Sequence, residues 1–251
     1  MQGYNPVQLA RYTDFITALN GFQQDYHNAD LRPNAKSNLG LLDLLNVRYI
    51  VIDAELPQDR DDVIALKNGN REVFRNDSVI IYENSSVLPH AWIVHQTAQV
   101  DEESAFTTIA NPEFDPTAIA LVEGDQPVVA ALEPGTSESA TVTSFESERI
   151  ELQVNAASDG LVVLSEIYDK GWSATVDGKS SKVYAVDGAF RGIAVGAGEH
   201  TIVLRYDPPS LKIGLILSLV STLAMLVAFG YVVWRHFRPS PVATGEGGEP
   251  S

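Results

Sequence analysis

Ile213 to Trp234 is a run of 22 residues without a charged side chain, IGLILSLVSTLAMLVAFGYVVW. As a helix it is roughly 33 Å long at about 1.5 Å per residue, and the hydrocarbon core of a bilayer is about 30 Å thick. Core helices of soluble proteins are rarely this long without a polar face. Tyr231 and Trp234 close the run, where amphipathic rings favour the membrane interface. The sequence therefore predicts one transmembrane helix at 213–234, and everything else must be arranged around a bilayer crossing.

The charges flanking the run set an expected orientation. Arg235-His236-Phe237-Arg238 follows it and a single Lys212 precedes it. Basic residues beside a span are retained on the cytoplasmic side, so 235–251 is expected inside and residues 1–211 outside. MQGYNPVQLARYTDF offers no basic start followed by an apolar stretch, so export calls for an upstream element. The chain reads as the C-terminal piece of a longer, multi-spanning protein. Its end, PSPVATGEGGEPS, has the composition of a disordered tail.

Residues 1–211 hold 14 of the 17 basic and 31 of the 33 acidic residues, a balance of −17. Such a surface repels phosphate backbones and has no basic stripe, which argues against nucleic-acid binding. There are no cysteines, so a disulfide scaffold, a thiolate metal site and a cysteine nucleophile are all excluded.

Residues 1–134 read as a mixed α/β region. Pro6 can open a helix whose Leu9, Tyr12, Ile16 and Leu19 share one face, with Asn20-Gly21 as its stop. A short helix at 39–45 runs into the β-branched strand 48–52. A hairpin is expected from 72–75 and 79–82, strands at 91–94 and 118–122, and a helix at 102–110. The stretch 133–137 reads as a linker. From 139 to 207 the pattern is wholly β, with Asp177-Gly178 and Asp187-Gly188 as tight hairpin turns and Pro208-Pro209 ending the last strand. Six or seven short strands at this spacing predict a β-sandwich. The expected fold is thus an α+β N-terminal region, an all-β sandwich and a single transmembrane helix.

Several segments together resemble the C-terminal part of the YfhO-type family of bacterial membrane proteins. They are Gly3-Tyr4-Asn5-Pro6 with Leu9-Ala10-Arg11-Tyr12, then LLDLLNVRYIVI from Leu41 to Ile52, and Tyr82-Glu83-Asn84 with Leu88-Pro89-His90-Ala91-Trp92. The densest stretch carries Gly171-Trp172, Val176-Asp177-Gly178-Lys179, Gly188-Ala189-Phe190-Arg191-Gly192, Gly198-Glu199-His200 and Arg205-Tyr206, followed by Pro208-Pro209-Ser210 and Lys212-Ile213-Gly214. The resemblance implies a large multi-spanning protein of the lipid-linked-sugar glycosyltransferase type, associated with adding sugars to envelope polymers such as teichoic acids. Its chemistry would lie in an N-terminal multi-helix part, so no catalytic residue carries over to this chain.

The residues themselves offer few constellations. His27, His90, His95, His200 and His236 show no metal-ligand spacing and read as surface or capping residues, so neither a metal nor a cofactor is expected. There is no Gly-x-Ser-x-Gly elbow and no phosphate loop. No carboxylate is marked by an apolar setting, and Asp53-Ala54-Glu55 reads equally as a functional or an ordinary polar loop. Asn76-Asp77-Ser78 and Asn84-Ser85-Ser86 match the N-glycosylation pattern. The best candidate binding surface is Tyr168, Trp172 and Arg191, because aromatic rings stack on sugar faces and guanidinium bonds hydroxyls or phosphates. The competing reading packs Trp172 in the sandwich and uses Arg191 to order a turn.

The function expected from these features is that of an external accessory module and last span of an envelope glycosyltransferase-like protein. Its expected partners are the bilayer, the parent's upstream transmembrane region and an envelope glycan. Two alternatives stand beside it, a free-standing membrane-anchored sugar-binding module and a tail-anchored cytosolic interaction domain.

Overall fold

The computed structural model describes residues 9–23, 31–34 and 37–237. The chain divides into two compact units at the Asp207–Pro208 junction. The first contains α1 (Ala10–Asn20), α2 (Leu41–Leu44), β1 (Tyr49–Asp53), α3 (Asp61–Lys67), β2 (Arg71–Arg75), β3 (Val79–Glu83), β4 (Ala91–Val94), β5 (Thr97–Val100), α4 (Glu102–Ile109) and β6 (Ala120–Glu123). It continues with β7 (Ser139–Glu146), β8 (Arg149–Ala156), β9 (Gly160–Ile167), β10 (Trp172–Val176), β11 (Lys179–Ser181), β12 (Val183–Val186), β13 (Phe190–Val195) and β14 (Gly198–Tyr206). The second unit is one helix, α5 (Pro209–Phe237).

Three sheets organise the first unit. A six-stranded sheet, β4-β9-β13-β12-β6-β5, has an antiparallel five-stranded sheet, β11-β10-β14-β8-β7, on one face. On its other face lie the helices and the small sheet β1-β3-β2. Alternation along the central strands feeds both cores. In β4, Ala91 and Ile93 join Leu152, Ile202 and Leu204 of the five-stranded sheet, while Trp92 and Val94 join Phe15, Leu19 and Leu41. In β9, Val162 and Leu164 face the first core and Leu161 and Val163 the second. That is why this strand reads as continuously apolar.

The fold class is the expected one, with a sandwich and a helical region. The structure differs at the division drawn between 134 and 139. β4, β5 and β6 come from before it, yet they complete the sheet formed by β9, β12 and β13. The segment 133–137 therefore connects two parts of one unit. β5 and β6 also pair in parallel, with α4 as the crossover, an arrangement that tight hairpin turns cannot supply. Helix α1 begins at Ala10, and the expected opening at Pro6 lies outside the described residues. Gly21 ends α1 at φ +72°, with its N–H donating to the Thr17 carbonyl at 2.9 Å.

The expected hairpin turns are present, with Asp177 and Gly178 at φ +52° and +77°, and Asp187 and Gly188 at +49° and +73°. Asn84 is buried, and its side-chain amide donates to Asp43 Oδ1 (2.6 Å) and the Val47 carbonyl (2.9 Å). The sequon match there thus marks a structural amide. Asp53 closes an ordinary turn, its Oδ1 accepting from Glu55 N–H at 2.9 Å.

Helix α5 has 29 residues, none of them buried. It starts before the expected Ile213 and continues past Trp234 to Phe237. At about 1.5 Å per residue it is roughly 44 Å long, and it is apolar enough to cross a membrane. The expected disordered tail beyond Phe237 lies outside the described residues.

Candidate functional site

One end of the sandwich gathers polar and aromatic side chains from both sheets. β9 and β13 meet there at an irregularity. Phe190 pairs with Ile167 and Arg191 with Leu164, which leaves Ser165 and Glu166 bulged between them. The Ser165 N–H donates to the His90 carbonyl (2.9 Å), and the Glu166 carboxylate lies 3.0 Å from His90 Nε2. The His90 ring sits 5.2 Å from that of Phe145 at the end of β7.

Across this opening, Trp172 and Tyr206 are register partners of β10 and β14, with ring centroids 5.3 Å apart. The Arg191 guanidinium lies over the other ring system, its carbon 3.8 Å from the Trp172 centroid. Arg191 is only 4% exposed. Its Nε–H donates to the Ile167 carbonyl at 3.0 Å, while Nη1 is buried without a hydrogen-bond partner. Burial pushes its pKa down to about 10, against the pull of Glu166, Asp169 and Tyr206. It therefore remains a cation at neutral pH. Asp169 orders the entry to β10 by accepting from Gly171 N–H at 2.8 Å.

The structure joins Trp172 and Arg191 and places Tyr168 in a different cluster. Tyr168 lies under the Arg11 guanidinium, 5.2 Å from ring centroid to carbon. Arg11 itself bonds both Glu123 oxygens (2.6 and 2.8 Å) and the Gly188 carbonyl (2.6 Å), which pins α1 to β6 and to the β12–β13 turn. The Glu123 hydrogen bond is the main cause of its raised pKa. Arg11→Ala leaves a carboxylate and a carbonyl unpaired, so a loss of about 2 kcal/mol is expected in urea denaturation. A change under a few tenths would show that the clasp contributes nothing.

Sequence reading missed Glu166, Asp169, Tyr206 and His90 as members of the Arg191 cluster. Tyr206 was accessible from the hairpin register opposite Trp172, whereas the bulge that aims Glu166 has no local signal. It also missed Asp187. Read as a turn residue, this carboxylate is fully buried, and its Oδ2 has no partner. Its Oδ1 accepts from Leu121 N–H at 2.8 Å. Desolvation pushes its pKa up to about 7.

The described histidines of the first unit all pair with carboxylates, and the His95 side chain is only 9% exposed. Ser158, His95 and Glu138 have the composition of a nucleophilic triad, with Ser158 Oγ 3.2 Å from His95 Nδ1 and Glu138 2.9 Å from Nε2. The same Nδ1 faces the carbonyls of Ala130 (3.0 Å) and Asp159 (3.2 Å), so it carries a proton and cannot accept one from serine. The group is a staple for the 130–138 segment. Among the described residues no three His, Asp or Glu side chains form a metal-binding group. What remains chemically is the sandwich end, where aromatic edges, an imidazole and carboxylates suit contact with a polyhydroxylated ligand.

Residues 113–218 match the family model described as bacterial membrane protein YfhO. The uncharacterized protein YfhO of Bacillus subtilis (strain 168) is 34% identical over 125 residues, which is 49% of this chain and 14% of that protein. The chain thus aligns with about a seventh of the length of this relative. No solved structure matches.

Proposed function

Because the chain belongs to the YfhO family of bacterial membrane proteins, we propose that it is a non-catalytic module and membrane span of a longer, multi-spanning envelope protein of the glycosyltransferase type. In this reading the module supports transfer of sugars to envelope glycopolymers and helps hold the acceptor, while the chemistry resides elsewhere in the parent. The observation that carries it is the extent of the family match, which runs through the sandwich and into α5 as one stretch. The sandwich end supports the binding role, since Trp172, Tyr206, His90 and Glu166 offer stacking faces and hydrogen-bonding groups without an activated nucleophile. Residues 1–211 face the outside in this proposal and the C-terminal tail the cytoplasm, following the flanking Arg235 and Arg238 against Lys212.

The test uses a strain lacking the full-length parent gene, complemented either with wild type or with Tyr206→Ala plus Glu166→Gln. Because the chain has no cysteine, Val128→Cys reports orientation through an impermeant maleimide on intact cells. Labelling from outside is expected. The sugar content of purified envelope polymers is expected to fall in the deletion strain and to recover only in part with the double variant at wild-type membrane levels. Unchanged sugar content on deletion sinks the proposal. Full recovery by the double variant removes the acceptor-holding role from this surface.

A further inference from the structure

Asp207 N–H still donates to the Gly171 carbonyl at 2.9 Å, and α5 begins at Pro209. Pro208 alone separates the last sheet hydrogen bond from the first helical residue. The four residues from Pro209 to Lys212 cover about 6 Å of helix before the uncharged run starts. The headgroup layer on each side of a bilayer is roughly 5–8 Å deep. A connection this short, bounded by two prolines, leaves the sandwich end at Tyr206 no slack with which to stand clear of the lipid.

That end has an unusual surface for this protein. Phe145 is 57% exposed and Tyr206 37% exposed. Tyr206 N–H donates to the Glu148 carbonyl at 2.9 Å, which fixes the β7–β8 hairpin tip beside the exit of β14. The strand ends and turns at 145–149, 166–172, 190–191 and 205–207 carry Arg149, Lys170, Arg191 and Arg205 against five carboxylates. The charge there is nearly balanced, whereas residues 1–211 as a whole stand at −17.

We propose that this end of the sandwich is a lipid-docking surface, with Phe145, Tyr206 and the tip at Ser147 seated among zwitterionic headgroups. Aromatic rings with a polar edge or rim favour that layer, and near-neutrality removes the repulsion that the rest of the acidic surface would meet there. The surface is independent of the sugar reading and holds whichever side of the membrane the module occupies.

The absence of native cysteines allows single nitroxide labels at Ser147→Cys, Phe145→Cys and, at the opposite end of β8, Ala157→Cys, in the full chain reconstituted into phosphatidylcholine vesicles. Eight residues of β8 place the two ends about 26 Å apart. The expected result is several-fold weaker collision with a water-soluble nickel reagent at 147 and 145 than at 157, with oxygen collision raised. Ser147→Cys removes no packing and keeps the test valid if the Phe145 variant folds poorly. Equal nickel accessibility at 147 and 157 overturns the proposal. Shielding of 147 from both nickel and oxygen means that protein covers this end, and overturns it as well.

Discussion

Asp187→Asn is expected to stabilise the first unit at pH 8, by up to about 4 kcal/mol, and to leave it nearly unchanged at pH 4. Asp187 is fully buried, with one oxygen bonded to Leu121 N–H and the other unpartnered. Desolvation raises its carboxyl to about 7 in the folded state, from an ordinary value of 3.8. A raised acid pKa means that the folded state holds its proton more tightly than the unfolded state. Its contribution is therefore most favourable below about pH 4, is lost progressively as pH rises towards 7, and levels off above that. Asn mimics the protonated acid, retains the acceptor for Leu121 and tolerates the positive φ of this turn position. Paired denaturant titrations of the two proteins in detergent, from pH 4 to 8, check this. A gap between them that does not change with pH would show that no buried acid titrates there.

Phe190→Ala is expected to cost about 3–5 kcal/mol, the range for emptying an aromatic core position. Phe190 is fully buried, and its ring meets that of Phe15 edge to face at 5.2 Å. It is thus the point where α1 closes over the six-stranded sheet, one residue before Arg191 on the opposite face. Since domains of ordinary stability hold only 5–15 kcal/mol in total, such a loss removes a large share of it. Amides of α1 should then exchange far faster than those of β8, which lies in the other core. Ile64→Ala, at a half-exposed position on α3, should change stability by under about 0.5 kcal/mol. A loss at Phe190 no larger than that would contradict the packing described.

Local pattern made much of the fold legible. The apolar run gave the helix, the Asp-Gly pairs gave the hairpin turns, and alternation gave β7 and β8. What escaped was either short or long-range. β5, with the sequence Thr-Ala-Gln-Val, has too few apolar residues to show a period, and its partner lies beyond α4. α3 spans seven residues; its signal was the Asp61-Asp62 start and Lys67 end, which suit a helix dipole. The placement of β4 beside β9 has no signature in either strand. The same limit governed the candidate site. Trp172 and Arg191 were recognised as residue types and do meet, but Tyr168 differs from them in nothing that sequence displays. Only the tertiary arrangement puts it under Arg11. Asp187 was legible as a turn and illegible as a buried acid, because burial of a hairpin tip depends on the helices that cover it.

The pairing of β4 with β9 also has a consequence in time. Ala91 lies opposite Leu164, 73 positions later in the chain. At a synthesis rate of about 5–20 residues per second, β4 waits roughly 4–15 s after it is made before its partner exists. Throughout that interval both faces of a strand destined for complete burial, and one row of its backbone donors, have nothing to meet. The finished sheet hides this vulnerability entirely. For each new copy, the contest between folding and aggregation is decided within those few seconds.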